Sequence, residues 1–330
     1  MADLQAASTV PASLRVHQFH GLQPGPRLIV LGAVHGNETC GTQAIEALLP
    51  ELDSGRLAIQ RGCLTLVPVA NPLAYARGTR QGDRNLNRRL RPEPEPREFE
   101  DRVANVLCPL LAAHEVLLDL HSFHTPGEPF AMLGPEDNTG PLEPFTYAAC
   151  ESAWAAHLGP RRFVEGWLDT YAAGVAERRA RAALDGALPA VVQDAQYGVG
   201  TTEYMRSVGG YGITLECGLH GDPHGAAVGL HAIRQTLAWL GMADLPLMPP
   251  VTDPDVMRLV HVTDRFHPDD RLAAAWRGFD PVRAGQPIGW RHDGQAVCAP
   301  DDGWVVFPNP EAEVGQEWFY FARRSARRLG

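Results

Sequence analysis

Arg27-Leu28-Ile29-Val30-Leu31-Gly32-Ala33-Val34-His35-Gly36-Asn37-Glu38 decides how the chain is read. The apolar run after Arg27 has the character of a buried strand. It stops at a histidine and a glutamate three residues apart, and the mouth of such a strand can aim both at one cation. Imidazole nitrogen with carboxylate oxygen is a ligand set that suits zinc. His-x-x-Glu alone is common in loops, so a second strand-like run, Glu115-Val116-Leu117-Leu118-Asp119-Leu120, matters because it ends on His121. Open α/β sheets place their ligand sites at the carboxyl ends of strands. Three protein ligands leave a fourth position open, the mark of a catalytic rather than a structural zinc. The reading is a zinc hydrolase.

Outward from that stretch, strand candidates Leu28–Val34, Leu64–Val69, Val116–Leu120, Phe130–Leu133 and Gly212–Leu215 alternate with helix candidates Glu38–Leu49, Glu98–Ala113 and His224–Leu240. This alternation argues for an α/β fold, a mixed, mostly parallel sheet flanked by helices. Residues 163–200 read as an Arg/Ala-rich helical segment that can shape one wall of the site. Leu245-Pro246-Leu247-Met248-Pro249-Pro250 reads as a linker. After it, turn signals at Gly285, Gly294, Gly303 and Gly315 shorten the period, as in a small C-terminal all-β domain. The expected division is a catalytic domain over 1–245 and a β-rich domain over 251–330.

Composition limits the chemistry. The chain has 330 residues, 45% of them hydrophobic, enough for one large domain and a smaller one. A net charge of −10 with no basic block argues against nucleic acid or an anionic membrane as partner. There is no lysine, which excludes Schiff-base chemistry, lysine-anchored pyridoxal phosphate and a Walker-type phosphate loop. Six scattered cysteines form no Cys-x-x-Cys pair, so neither a zinc knuckle nor a disulfide framework is indicated. Met1–Val10 lacks the basic start and apolar core of a secretory signal, and no apolar run is long enough to span a bilayer. A reducing cytoplasm is the expected setting.

Asn71-Pro72-Leu73-Ala74, Arg80 and Asn85-Leu86-Asn87-Arg88 follow the strand Leu64–Val69. Arginine forks bind carboxylates through paired hydrogen bonds, so Arg88 with Asn87 can hold an anionic group. The same arginines can equally form a solvated basic loop, and spacing leaves both readings open. Tyr211-Gly212-Ile213-Thr214-Leu215 ends on Glu216. A carboxylate at the end of a buried strand is costly unless it faces a cleft or finds a partner such as Arg206. Facing a cleft, it is a candidate general base.

Together these residues resemble the succinylglutamate desuccinylase/aspartoacylase family, within the zinc carboxypeptidase-like clan of hydrolases. The family pattern Gly-x-His-Gly-Asn-Glu, Asn-Pro-x-Ala, Arg, Asp-x-Asn-Arg, Asp-x-His and Glu-x-Gly falls here on Gly32–Glu38, Asn71–Ala74, Arg80, Asn85–Arg88, Asp119–His121 and Glu216–Gly218. The resemblance implies a zinc carboxypeptidase-like fold and one Zn2+ per chain held by His35, Glu38 and His121. It implies Glu216 as the carboxylate that takes a proton from the attacking water and returns it to the leaving amine. Arg80 would polarise the amide carbonyl, and Asn87 and Arg88 would clamp an α-carboxylate. Arg206 would meet a substrate carboxylate, and Tyr320 would reach the site from the C-terminal region, although an aromatic in that run also suits a core.

One position departs from the family pattern: Asn85 stands where the family has an Asp that orients a metal-binding histidine. Asn accepts a hydrogen bond but lacks the charge that raises imidazole basicity. Weaker zinc affinity is expected, unless Asp83 compensates. His124, His220, His224, Cys40 and Cys217 are read as cleft-lining or structural, and His17 and His20 as bystanders.

The activity implied is hydrolysis of the amide bond of a small N-acyl amino acid. A metallocarboxypeptidase acting on peptides is the alternative enzyme, and a silent metal- or ligand-binding relative the alternative of another class. Arg88 with Arg206 suggests substrates with more than one carboxylate, while acylated diamino acids stay open. Homo-oligomerisation is left open too.

Overall fold

The computed structural model describes residues 10–185 and 194–329. Most of the N-terminal stretch read above for a signal, and residues 186–193 of the Arg/Ala-rich segment, lie outside the described residues.

Fourteen strands are formed among the described residues: β1 (His17–His20), β2 (Gln23–Leu31), β3 (Arg61–Val67), β4 (Val116–Phe123), β5 (Phe130–Met132), β6 (Arg162–Glu165), β7 (Tyr211–Leu219), β8 (Asp255–Asp264), β9 (Arg271–Leu272), β10 (Asp280–Val282), β11 (Pro287–Trp290), β12 (Ala296–Cys298), β13 (Gly303–Val306) and β14 (Glu317–Arg324). Helices are α1 (Cys40–Asp53), α2 (Pro72–Arg77), α3 (Phe99–Ala112), α4 (Ala148–Ala155), α5 (Trp167–Asp185), α6 (Thr201–Ser207) and α7 (Pro223–Trp239). The central strands β3-β2-β4-β7 run parallel. The expected α/β fold, with a largely parallel central sheet and flanking helices, is the one found.

Period-2 alternation along β2 explains why helices cover both faces. Leu28 and Val30 pack on Ala44, Ile45 and Leu48 of α1 and Ile233 and Leu237 of α7. Ile29 and Leu31 pack the other way, on Val103 and Leu107 of α3. All four β2 residues are fully buried, each worth about 1.5–3 kcal/mol of burial.

The sheet does not end where the linker begins. Its 11 strands run β1-β3-β2-β4-β7-β5-β6-β8-β14-β13-β10, and β6 pairs in parallel with β8 across residues 245–250. The C-terminal strands β8, β14, β13 and β10 therefore extend the central sheet in antiparallel fashion, while β9, β11 and β12 form a separate three-stranded sheet. α5 crosses the middle of the Arg/Ala-rich segment and packs on β8.

Candidate active site

β2 ends at Leu31, and the turn that follows is shaped by backbone contacts. Ala33 takes φ +45°, and Asn71 N–H donates to its carbonyl at 3.0 Å. Gly36 admits no side chain: a Cβ there would sit 2.0 Å from the Ala74 carbonyl carbon. The backbone of α2 thus presses directly on the His35–Glu38 loop. Asn71 caps α2 by accepting from Ala74 N–H at 3.3 Å and gives its own amide to Glu100 at 2.9 Å. Glu100, fully buried, also accepts from the backbone N–H groups of Gly82, Asp83 and Arg84 at 2.8, 3.1 and 3.1 Å. Those bonds satisfy a buried carboxylate that would otherwise be costly, and they hold the loop that carries Arg80 and Asn85.

His35, Glu38 and His121 converge, with one donor atom from each lying within 4.8 Å of the others. All are buried. His35 Nδ1 and His121 Nδ1 stand 2.8 and 2.9 Å from the two oxygens of Glu38. The outer nitrogens are held from behind: His35 Nε2 is 3.1 Å from Asn85 Oδ1, and His121 Nε2 is 2.9 Å from Asp119 Oδ2. Asn85 Oδ1 also accepts from Asn87 N–H at 2.9 Å, and a carbonyl oxygen can only accept. His35 therefore carries its proton on Nε2 and turns a lone pair on Nδ1 inward. Nδ1 is accordingly buried and short of a hydrogen bond despite its nearness to Glu38; the distance is that of an ion pair, but no donor points along it. Two inward imidazole nitrogens and a carboxylate, each steadied by an outer partner, fit a zinc ion.

The electrostatics agree with that convergence. Burial holds the His35 imidazole down at about 4, with Arg80 adding to the effect. Burial also opposes charge on His121, yet Asp119 and Glu38 outweigh it and raise His121 well above the ordinary range. For Glu38, burial is overcome by His35 and His121, which hold it well below the usual carboxylate value. Arg80 Nη1 donates to Glu38 Oε1 at 2.9 Å from a half-exposed position.

Glu216 pairs in register with His121 across β4 and β7 and borders the same pocket. Its Oε2 is buried without a partner among the described residues. Burial raises its pKa to about 8, against the pull of His121. Arg206 does not satisfy it. That guanidinium is buried and committed elsewhere, to Glu143 at 2.9 Å, Glu151 at 3.1 Å and the Gly212 carbonyl at 2.6 Å. Its donors are used by the protein, so a contact with a substrate carboxylate would first have to break one of these bonds.

The pocket, ≈ 170 Å³, is closed by residues from both ends of the chain. Arg88 lies in its wall, stacked 4.9 Å over the Trp167 ring. Asn87 lies beside it, its Oδ1 taken by Thr201 N–H at 2.9 Å. Tyr320 reaches the pocket from β14, and its buried hydroxyl has no partner among the described residues. His124 lines the mouth, its ring 5.6 Å from His220, while Ser122 Oγ and His220 Nδ1 are 2.7 Å apart. Asp83 is absent from this group; it accepts from Phe99 N–H at the start of α3 and does not compensate for Asn85 at His35. Asp119, Trp167 and Glu317 are site residues to which the motifs assign no role. For Asp119 a signal exists: two residues before His121 on a strand, it shares that residue's face.

Comparison with known proteins follows the same lines. Residues 24–126 match the model of the succinylglutamate desuccinylase/aspartoacylase catalytic domain. No curated protein matches the chain. Among solved structures it is similar to a succinylglutamate desuccinylase/aspartoacylase from Rhodobacter sphaeroides, at 18% identity and TM-score 0.70, with 95% of this chain and 90% of that one covered. It is similar to the ectoine utilization protein EutE from Ruegeria pomeroyi at 20% identity and TM-score 0.67, covering 93% and 88%. A succinylglutamate desuccinylase from Vibrio parahaemolyticus gives 16% and 0.69, covering 95% and 87%. Residues 24–126 are thus similar to the succinylglutamate desuccinylase/aspartoacylase catalytic domain, and the chain as a whole has the fold of the solved structures that bear that description.

Proposed function

We propose that the protein is a zinc-dependent amidohydrolase that cleaves a small N-acyl amino acid into a carboxylic acid and an amino acid. One observation carries the reading: the unpartnered, buried oxygen of Glu216 shares a pocket with the convergent His35, Glu38 and His121. Bound there, zinc would lower the pKa of water towards neutrality and polarise the amide carbonyl. A cation held there would favour the ionised form of Glu216, whose Oε2 then takes a proton from the attacking water and delivers it to the leaving nitrogen. Arg80 stands beside Glu38, where its guanidinium stabilises negative charge developing on the carbonyl oxygen. Arg88 and Asn87 orient the amino-acid carboxylate.

The C-terminal residues favour a small substrate over a peptide. Phe307, Asn309, Glu317 and Tyr320 form a wall of the pocket that a long chain would have to displace.

The test is mass-spectrometric detection of products from zinc-loaded protein given N-acetyl, N-succinyl and N-formyl amino acids and short peptides, beside Glu216→Gln. Cleavage of an N-acyl amino acid by the wild type alone supports the reading. Cleavage of peptides from the carboxyl end favours a carboxypeptidase. Zinc bound with no cleavage favours a binding protein.

A further inference from the structure

The arginines in the pocket wall already have carboxylate partners within the protein. Arg80 has Glu38 at 2.9 Å, and Arg88 Nη2 lies 3.5 Å from Glu317 Oε1. Arg206 faces three carboxylates, Glu143, Glu151 and Glu203, at 2.9, 3.1 and 3.7 Å. Glu317 has a second arginine, Arg178, at 3.9 Å, but both Arg178 bonds at 2.7 Å go to Asp264. Each arginine of the wall thus has a carboxylate of the protein against it, and a second substrate carboxylate would find no unpaired guanidinium among them.

Glu317 is on this wall because β14 is irregular there. Strict alternation would place it with Phe319 and Phe321, which face the core between the two sheets. The register shifts between Glu317 and Phe319 in the pairing with β8, and both Glu317 and Tyr320 then border the pocket. Such irregularities re-aim side chains beside active sites. The result is a carboxylate that stays about a quarter exposed next to a buried, unpartnered phenol hydroxyl.

We infer that Glu317 is the specificity-determining residue and that the pocket takes N-acyl amino acids with a single carboxylate and a cationic, aminoalkyl side chain. The inference rests on the hydrolase reading above. The substrate carboxylate takes the fork of Arg88, and Glu317, displaced from that fork, meets the ammonium group. A second carboxylate would instead face Glu317 and Glu203, a repulsive element of the kind that separates close substrates.

The experiment compares Nα-acetylornithine and Nα-acetyllysine with N-acetylaspartate and N-acetylglutamate on zinc-loaded wild type, Glu317→Gln and Glu317→Asp. The wild type is expected to favour the cationic compounds in kcat/KM. Glu317→Gln is expected to lower that preference by about 10-fold, the scale of one lost charged contact, through KM and not kcat, and Glu317→Asp to restore part of it. A wild type that prefers the dicarboxylates overturns the inference, as does an unchanged preference in Glu317→Gln. Dissociation constants for the same four compounds, measured by calorimetry, separate the two readings. If none is hydrolysed, the inference stands on tighter binding of the cationic pair or falls with equal binding, while the hydrolase reading is decided by the wider panel of acyl groups above.

Discussion

Asn85 Oδ1 sits 3.1 Å behind His35 Nε2 and fixes which nitrogen of that ring faces Glu38. On the second histidine the corresponding support, Asp119 behind His121, is a carboxylate. The two halves of the candidate metal site are therefore backed unequally, one by a neutral amide and one by a charge. Outer partners of this kind tune metal affinity. Asn85→Asp should tighten zinc binding, by about 10-fold or more on the usual scale for such partners, as measured by competition with a chelator. An unchanged or weakened dissociation constant would show that the amide already does all that the position requires.

Glu216 makes a prediction for the metal-free protein. Its folded pKa of about 8 lies above the ordinary 4.5, so between those values the native state holds a proton that the unfolded chain has released. Its contribution to stability is fully present below the ordinary pKa and is lost as pH rises through about 8. Chemical denaturation across that window should show the wild type losing stability relative to Glu216→Gln, by up to about 1.4 kcal/mol per pH unit. Parallel curves would mean that the carboxyl is not held neutral.

Arg80 is expected to act in the reaction more than in binding. Arg80→Ala should lower kcat about 100–1000-fold, the usual cost of removing one oxyanion donor, with a smaller change in KM. Steady-state kinetics with a cleaved substrate would test this, and an intact kcat would remove Arg80 from the chemistry.

Arg206 is expected to be a stability residue. Removing it leaves Glu143, Glu151 and Glu203 buried around an empty position. Arg206→Met should cost about 3–5 kcal/mol, as breaking a buried charge cluster generally does, read from urea unfolding. A variant of native stability with a raised KM would instead return Arg206 to substrate contact.

Much of this architecture is legible in the sequence. The runs Leu28–Leu31 and Val116–Leu118 announce their strands through unbroken apolar character, because both faces of a central strand are covered. Glu216 is legible because a charge cannot end a buried strand without a reason. Arg206 is a different matter: Glu203 is a local partner one helical turn away, while Glu143 and Glu151 are distant in sequence and meet it only in the fold. Glu317 is hidden for a related reason, since period-2 reading assigns it to the core face and a register shift moves it off. The continuity of the sheet past residue 250 is equally invisible, because pairing between β6 and β8 is a long-range event that leaves no local pattern.

The parallel pair β6–β8 means that the chain cannot be shortened at its proline-rich connection without cost. Truncation there would turn β6 into an open border, wetting the buried Phe163 and Val164 and baring a row of unpaired amides, the kind of surface that recruits other chains into aggregates. The C-terminal strands thus serve as the closing margin of the sheet as well as a wall of the pocket, and the integrity of both is tied to the same eighty residues.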